Sequence, residues 1–202
     1  VFKGPVADAG GVHTAQGSWS ARQGKFVPRR QLPVYERQYF PEKLLGEDNL
    51  PDWRKAGTTI SETDALRTWT LDGKVLIASI QSKMHAISPD VMEGLMEAVD
   101  LAEREYDGMV IWSGDAPFSV GADLQATMPA YVVAGIAAIE GVEHELQNLM
   151  LRLRYAQVPV VSAIHGMALG GGCELAVHSA RRVAHMESYI GLVEVGVGLV
   201  PG

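Results

Sequence analysis

Ile164-His165-Gly166-Met167-Ala168-Leu169-Gly170-Gly171-Gly172-Cys173-Glu174-Leu175-Ala176 runs from a buried-strand pattern, Val158 to Ile164, into a helical one, Gly171 to about Ser179. Consecutive glycines at the junction strip the backbone of side chains, so a bulky ligand can approach the main chain. A helix opening at Gly171 leaves its first N–H groups without intrahelical acceptors, and these suit a negatively charged oxygen. Glycine before a helix is about as often only a tight turn. No Lys-Ser/Thr follows the run and no Gly-x-Gly-x-x-Gly occurs, which disfavours a P-loop and a dinucleotide-binding turn.

Glu174 follows the glycines directly, and Glu194 stands twenty positions later in the apolar stretch Leu192 to Leu199. Burial penalises a carboxylate among aliphatic side chains, which inclines it to exchange protons. Two such groups on one cleft form an acid/base pair, and with the helix N–H groups they point to chemistry on an activated carbonyl compound. Alone, Glu174 reads as an acid stabilised by a helix dipole and Glu194 as a strand-edge charge. Their neighbourhood shifts the balance, because Glu194 is the only carboxyl side chain from Ser188 to Gly202. A second candidate loop, Pro117-Phe118-Ser119-Val120-Gly121-Ala122-Asp123-Leu124, follows a strand at Gly108 to Trp112, where α/β sheets gather ligand-binding groups. It can supply another backbone N–H to the same oxygen, or be a surface turn before a helix. Asp123 is suited to cap or brace it.

Working outward, Trp69-Thr70-Leu71, the turn signal Asp72-Gly73 and Val75 to Ile80 read as paired strands. Ser88-Pro89 opens a helix, with Ser88 as N-cap and Val91, Leu95, Val99 and Ala102 buried. Tyr131 to Tyr155 reads as one long helix, interrupted in character by Gly135 and Gly141, and Arg182 to Ala184 as a short strand. Strand and helix alternate, so the fold class is α/β. Residues 1–60, rich in Gly, Pro, Arg, Gln and Ser, read as an extended linker, with a helical turn around Tyr35 to Leu45.

The 202 residues are 47% apolar, enough for one substantial core plus an extension. A net charge of −7 argues against sequence-independent nucleic-acid binding, and no apolar run reaches membrane-span length. Cys173 is the only cysteine, which rules out an intramolecular disulfide, a Cys-rich zinc site and a redox pair, so a reducing cytoplasm is the simplest setting. Cys173 reads as a packed side chain; His165, beside Gly166, is able to reach a site but reads first as a satisfied core histidine, and His13, His144, His178 and His185 show no metal-ligand spacing.

Phe118 to Leu124, His165 to Ala176 and Glu194 to Gly202, in order and spacing, together resemble the enoyl-CoA hydratase/isomerase (crotonase) family. The resemblance covers about residues 66 to 202 and implies a crotonase-like domain over 61–202, in which ββα turns wind into a spiral. Such domains associate as trimers or pairs of trimers. It implies that Val120 and Gly171 supply two backbone N–H donors to a thioester oxygen and that Glu174 and Glu194 are the catalytic glutamates. Gly121, Ala122, Asp123 and Gly170 are expected to line the substrate. Where the family often has Asn-Ala-Leu, this chain has Lys83-Met84-His85-Ala86-Ile87; Lys83, His85 and Ala86 are expected at the adenine and phosphate end of CoA.

The implied activity is hydration of trans-2-enoyl-CoA to 3-hydroxyacyl-CoA in fatty-acid β-oxidation, without metal or redox prosthetic group. Glu174 would assist the water and Glu194 exchange the C2 proton. The alternatives are an enoyl-CoA isomerase, which can manage with one glutamate at the position of Glu194, and a non-catalytic interaction or oligomerisation module. Family members continue beyond the position of Gly202 through further helices, so the domain is expected to be C-terminally truncated. The first sixty residues are more faintly similar to the connection in bacterial multifunctional proteins that place a 3-hydroxyacyl-CoA dehydrogenase ahead of the hydratase. Any NAD-dependent activity would then lie outside this chain, a piece of a longer protein.

Overall fold

Leu66–Thr70 (β5) and Val75–Ile80 (β6) pair antiparallel, with Leu66 opposite Ile80 and Trp69 opposite Ile77. Their turn is closed locally: the Asp72 carboxylate accepts the Lys74 amide (2.9 Å) and the Thr70 hydroxyl accepts that of Gly73 (2.9 Å). The computed structural model describes residues 3–14, 17–29, 53–198 and 200–201. The chain divides into two units, Val1–Ala56 and Gly57–Gly202.

In the second unit the hairpin lies toward one edge of a six-stranded mixed sheet. Thr58–Glu62 (β4) adds antiparallel to β5, while Gly108–Ile111 (β7), Val160–Ile164 (β8) and Arg181–Ala184 (β10) continue parallel from β6, giving the order β10-β8-β7-β6-β5-β4. Met167–Leu169 (β9) and Tyr189–Gly191 (β11) form a separate parallel pair.

Helices fill the crossovers. Pro89–Glu105 (α2) joins β6 to β7, with the Ser88 hydroxyl accepting the Val91 amide as N-cap. Its Val91, Leu95, Val99 and Ala102 recur at helical period and are buried against Leu76, Ala78 and Ile80, which share one face of β6 by strand alternation. Met109 and Ile111 of β7 and Val160 and Ile164 of β8 extend that face into one core. Each such side chain contributes about 1.5–3 kcal/mol when fully buried. On β5 and β6, the Trp69 indole donates to the buried Ser79 hydroxyl (2.9 Å), which donates to the Trp112 carbonyl.

The single helix expected from Tyr131 to Tyr155 is two: Leu124–Ala134 (α3) and Ile136–Arg154 (α4). Gly135 separates them at φ 66°, ψ −145°, a conformation open to glycine and costly to other residues, and it interrupts the helical hydrogen-bond ladder. Gly141 is absorbed inside α4. Gly171–His178 (α5) connects β9 to β10 and packs against α4.

The first unit is less extended than its composition implies. Besides Pro5–Asp8 (α1), it holds an antiparallel sheet of His13–Thr14 (β1), Gly17–Ser20 (β2) and Lys25–Val27 (β3). Trp19 lies opposite Phe26 with ring centroids 5.3 Å apart, a cross-strand aromatic pair that offsets the cost of such short strands. The helical turn expected around Tyr35 to Leu45 lies outside the described residues.

Candidate active site

The parallel strands β6, β7 and β8 deliver three segments to the same end of the sheet, residues 83–87, 117–123 and 167–171. Hydrogen bonds stitch the first two together. The Ile87 amide donates to Gly121 O (2.8 Å), the Asp123 amide to Ile87 O (3.0 Å), and His85 Nδ1 lies 2.5 Å from Pro117 O, which makes it the protonated ring nitrogen. The second and third meet at Ser119, whose amide donates to Met167 O (3.1 Å) and whose carbonyl accepts the Leu169 amide (3.0 Å). Phe118, 2% exposed, anchors the loop in the core.

Val120 and Gly171 come out of this stitching as neighbours with spare donors. Neither amide has a hydrogen-bond partner among the described residues, Val120 because the Ser119 hydroxyl takes the next amide, Gly171 because it is the first residue of α5. Gly121 lies against the α5 start so closely that a Cβ there would sit 3.0 Å from Gly171 N and 2.7 Å from Leu169 O. Asp123 caps α3, its carboxylate accepting the Gln125 (3.0 Å) and Ala126 (3.1 Å) amides.

The two glutamates converge on the same few residues. Glu174 is 9% exposed on the first turn of α5, its amide bonded to Gly170 O. Glu194 opens a 3-10 turn, Glu194–Val197, and is not the strand-edge charge it suggests when taken alone; glycines at 196 and 198 favour a turn over an extended run. Its carboxylate lies over Gly170: a Cβ at that residue, which sits at φ 53°, would approach Glu194 Oε1 to 2.9 Å. Glycine at 170 thus satisfies both the backbone conformation and the approach of the carboxylate. Glu194 Oε2 is buried without a hydrogen-bond partner among the described residues. The buried Cys173 thiol lies within electrostatic reach of both carboxylates: burial pushes its pKa up, and the charges of Glu174 and Glu194 push the same way. It is a protonated, packed side chain and not a thiolate nucleophile.

The remaining expected residues divide. Gly121, Ala122 and Gly170 belong to the cluster. Ala86 is half-buried and bonded within its own turn, its amide to Lys83 O (3.2 Å), and Lys83 is exposed on the 3-10 turn Lys83–His85. His85 is half-buried and occupied with the loop rather than with open space. His165 is exposed, not a core histidine, and its ring meets that of His185 edge-on at 4.9 Å. Ile164 points into the core, so its successor points away. Ser119 escaped sequence reasoning although a signal existed: serine two residues before glycine in a tight loop forms side-chain-to-backbone turns. Beside the cluster, α3 offers Leu124, Met128, Pro129 and Val132 along a groove of about 490 Å³.

Residues 74–202 match the family model described as enoyl-CoA hydratase/isomerase. A Bacillus subtilis protein named "Probable 3-hydroxyacyl-CoA dehydrogenase" is 36% identical over 132 residues, 65% of this chain and 17% of that protein. The human peroxisomal bifunctional enzyme is 37% identical over 113 residues, 56% of this chain and 14% of that protein. The chain thus spans about a sixth of the length of such relatives. Among solved structures, an enoyl-CoA hydratase from Polaromonas sp. JS666 superposes with a TM-score of 0.62 at 27% identity, covering 68% of this chain and 55% of that one. Pseudomonas aeruginosa AtuE shares the fold with a TM-score of 0.63 at 24% identity, over 68% of this chain and 54% of that one.

Proposed function

This chain belongs to the enoyl-CoA hydratase/isomerase family and has its crotonase-like α/β fold, and from that premise we propose that it hydrates trans-2-enoyl-CoA thioesters to 3-hydroxyacyl-CoA as part of a multifunctional fatty-acid oxidation protein. The observation that carries the reading is the gathering of two carboxylates, Glu174 and Glu194, around Gly170–Cys173 beside the unpaired amides of Val120 and Gly171. The unpartnered Glu194 Oε2 adds support, since a buried carboxylate oxygen without a donor is suited to take a proton from substrate or water.

In this mechanism the thioester oxygen binds between the Val120 and Gly171 N–H groups, where the helix start adds positive potential. Addition of water at C3 moves negative charge onto that oxygen, so the donors bind the enolate-like transition state more tightly than the ground state. Loss of one such donor typically costs about 3 kcal/mol of barrier. Glu174 assists the water and Glu194 delivers the C2 proton. Gly121, Ala122, Asp123 and Gly170 line the reacting end, the apolar side chains of α3 take the acyl chain, and the segment of Lys83, His85 and Ala86 takes the nucleotide end of CoA. No metal or prosthetic group enters these steps; NAD chemistry would belong to a separate dehydrogenase domain. Assembly into trimers and a cytoplasmic setting accompany the reading. Among the described residues no helix is long and apolar enough to cross a membrane.

The presence of both glutamates favours hydration over isomerisation. Crotonyl-CoA tests this: hydration removes the absorbance of the conjugated thioester, whereas isomerisation keeps or creates conjugation. Glu174→Gln and Glu194→Gln should each lower kcat by about 10²–10⁴ and leave the unfolding transition near that of wild type. Wild-type turnover by both variants would refute the catalytic assignment of Glu174 and Glu194.

A further inference from the structure

Ser119 has no part in the acid/base chemistry, yet it is completely buried and all of its polar atoms are engaged. Its hydroxyl donates to His85 O (2.7 Å) and accepts the Gly121 amide (3.1 Å). Its main chain bonds to Met167 O and Leu169 N, tying the loop to β9 at the approach to α5. The other end of the brace is held as well: His85 Nδ1–H donates to Pro117 O. Met84 and His85 both have positive φ, 57° and 52°, a conformation non-glycine residues hold only where their surroundings enforce it.

These bonds bracket Val120. Ser119 Oγ satisfies the Gly121 amide on one side and fixes itself to His85 on the other, and the Val120 N–H held between these bonds has no partner among the described residues. We infer that Ser119 is a positioning residue whose hydroxyl, braced by His85, sets the direction of the Val120 N–H toward the thioester oxygen. The inference rests on the oxyanion role proposed for Val120. Without the hydroxyl, the Gly121 amide and His85 O lose their common partner and the loop can turn the Val120 amide aside. An oxyanion donor is sensitive to this, because a displacement of about 1 Å can cost on the order of a hundredfold in rate.

The test compares Ser119→Ala and Ser119→Cys with wild type in the intact protein, using crotonyl-CoA. The alanine variant should lose about tenfold to a hundredfold in kcat with KM changed less than about threefold. Cysteine, a weaker donor and acceptor of similar size, should fall between alanine and wild type. If the alanine variant does not fold, the cysteine variant alone decides by the same kcat-against-KM split. A second readout is the carbonyl stretch of bound crotonyl-CoA by difference infrared, in the Glu194→Gln background that holds substrate unreacted. It should lie below the free value with Ser119 present and move back toward it in the Ser119→Ala double variant. An unchanged stretch with inactive Glu194→Gln would overturn the inference and leave the catalytic assignment standing. Wild-type hydration by Glu194→Gln would instead bring down the catalytic assignment and this inference with it.

Discussion

Replacing Gly172 with alanine should separate the two segments that carry the candidate oxyanion donors. A Cβ at this position would lie 2.6 Å from Ser119 O, 2.8 Å from Ser119 Cβ and 3.0 Å from Ser119 Oγ. Carbon–oxygen contacts settle no closer than about 3.3 Å and carbon–carbon contacts at about 3.5–4.0 Å, so the parts must move apart by roughly 0.7 Å or more. Ser119 cannot yield alone, since its carbonyl accepts the Leu169 amide, its amide is bonded to Met167 O, and its hydroxyl is held by His85 O. Either the loop or the start of α5 shifts. Overpacking of this kind costs about 1–3 kcal/mol, and the shift moves the Val120 and Gly171 amides out of common reach, for about a hundredfold loss of kcat. Urea unfolding followed by circular dichroism reads the first quantity, and initial rates on crotonyl-CoA read the second. A Gly172→Ala protein with the wild-type urea midpoint, or with wild-type kcat, would show that the contact is not rigid and refute the reasoning.

Gly141 is the matched contrast: it lies exposed within α4, where an added Cβ meets nothing within 4 Å, so Gly141→Ala should stabilise by about 0.5–1 kcal/mol in the same urea assay. Destabilisation would mean that this part of α4 is not a regular helix. The ion pair between α4 and α2 should show in acid. Arg152 contacts Glu103 (2.7 Å) and Asp100 (2.7 Å), and the Arg152 guanidinium, with the Gln157 amide, holds the Glu103 carboxyl down to about 2. A depressed carboxylate stabilises the fold above its unfolded value near 4.5 and loses that contribution as pH falls toward about 2. After allowance for partial solvent exposure the pair contributes about 1–2 kcal/mol. Arg152→Ala should therefore be less stable than wild type by that amount from pH 5 to 8, with the gap closing below about pH 4. A gap independent of pH would assign the effect to lost packing.

Particular residues show how far the chain could be read without coordinates. Ser88-Pro89 capped a helix as its chemistry demands, and Asp72-Gly73 turned a hairpin, because these signals act within a few residues of themselves. The alternation of strand and helix, the helix starting at Gly171 and the cap at Asp123 were equally legible. Gly135 does not by itself reveal a helix break, since a single glycine is tolerated in many helices and only its backbone conformation decides. The stretch around Glu194 is strand-like or turn-like by pattern, because its apolar run and its two glycines pull in opposite directions, and the structure makes it a 3-10 turn. The cross-strand pair Trp19 and Phe26 was hidden because strands of three or four residues are too short to display a period.

Where each helix and strand begins, and which side chains face the core, follow from caps, turns and periodicity, whose energies are exchanged between neighbours along the chain. What those neighbours cannot decide is the meeting of positions far apart: Glu194 over Gly170, Ser119 between His85 and Gly121, β9 beside β11. Such contacts are worth something only after the parallel sheet has brought three loops to one end, so packing, and not local preference, assembled the carboxylates and free amides into one place.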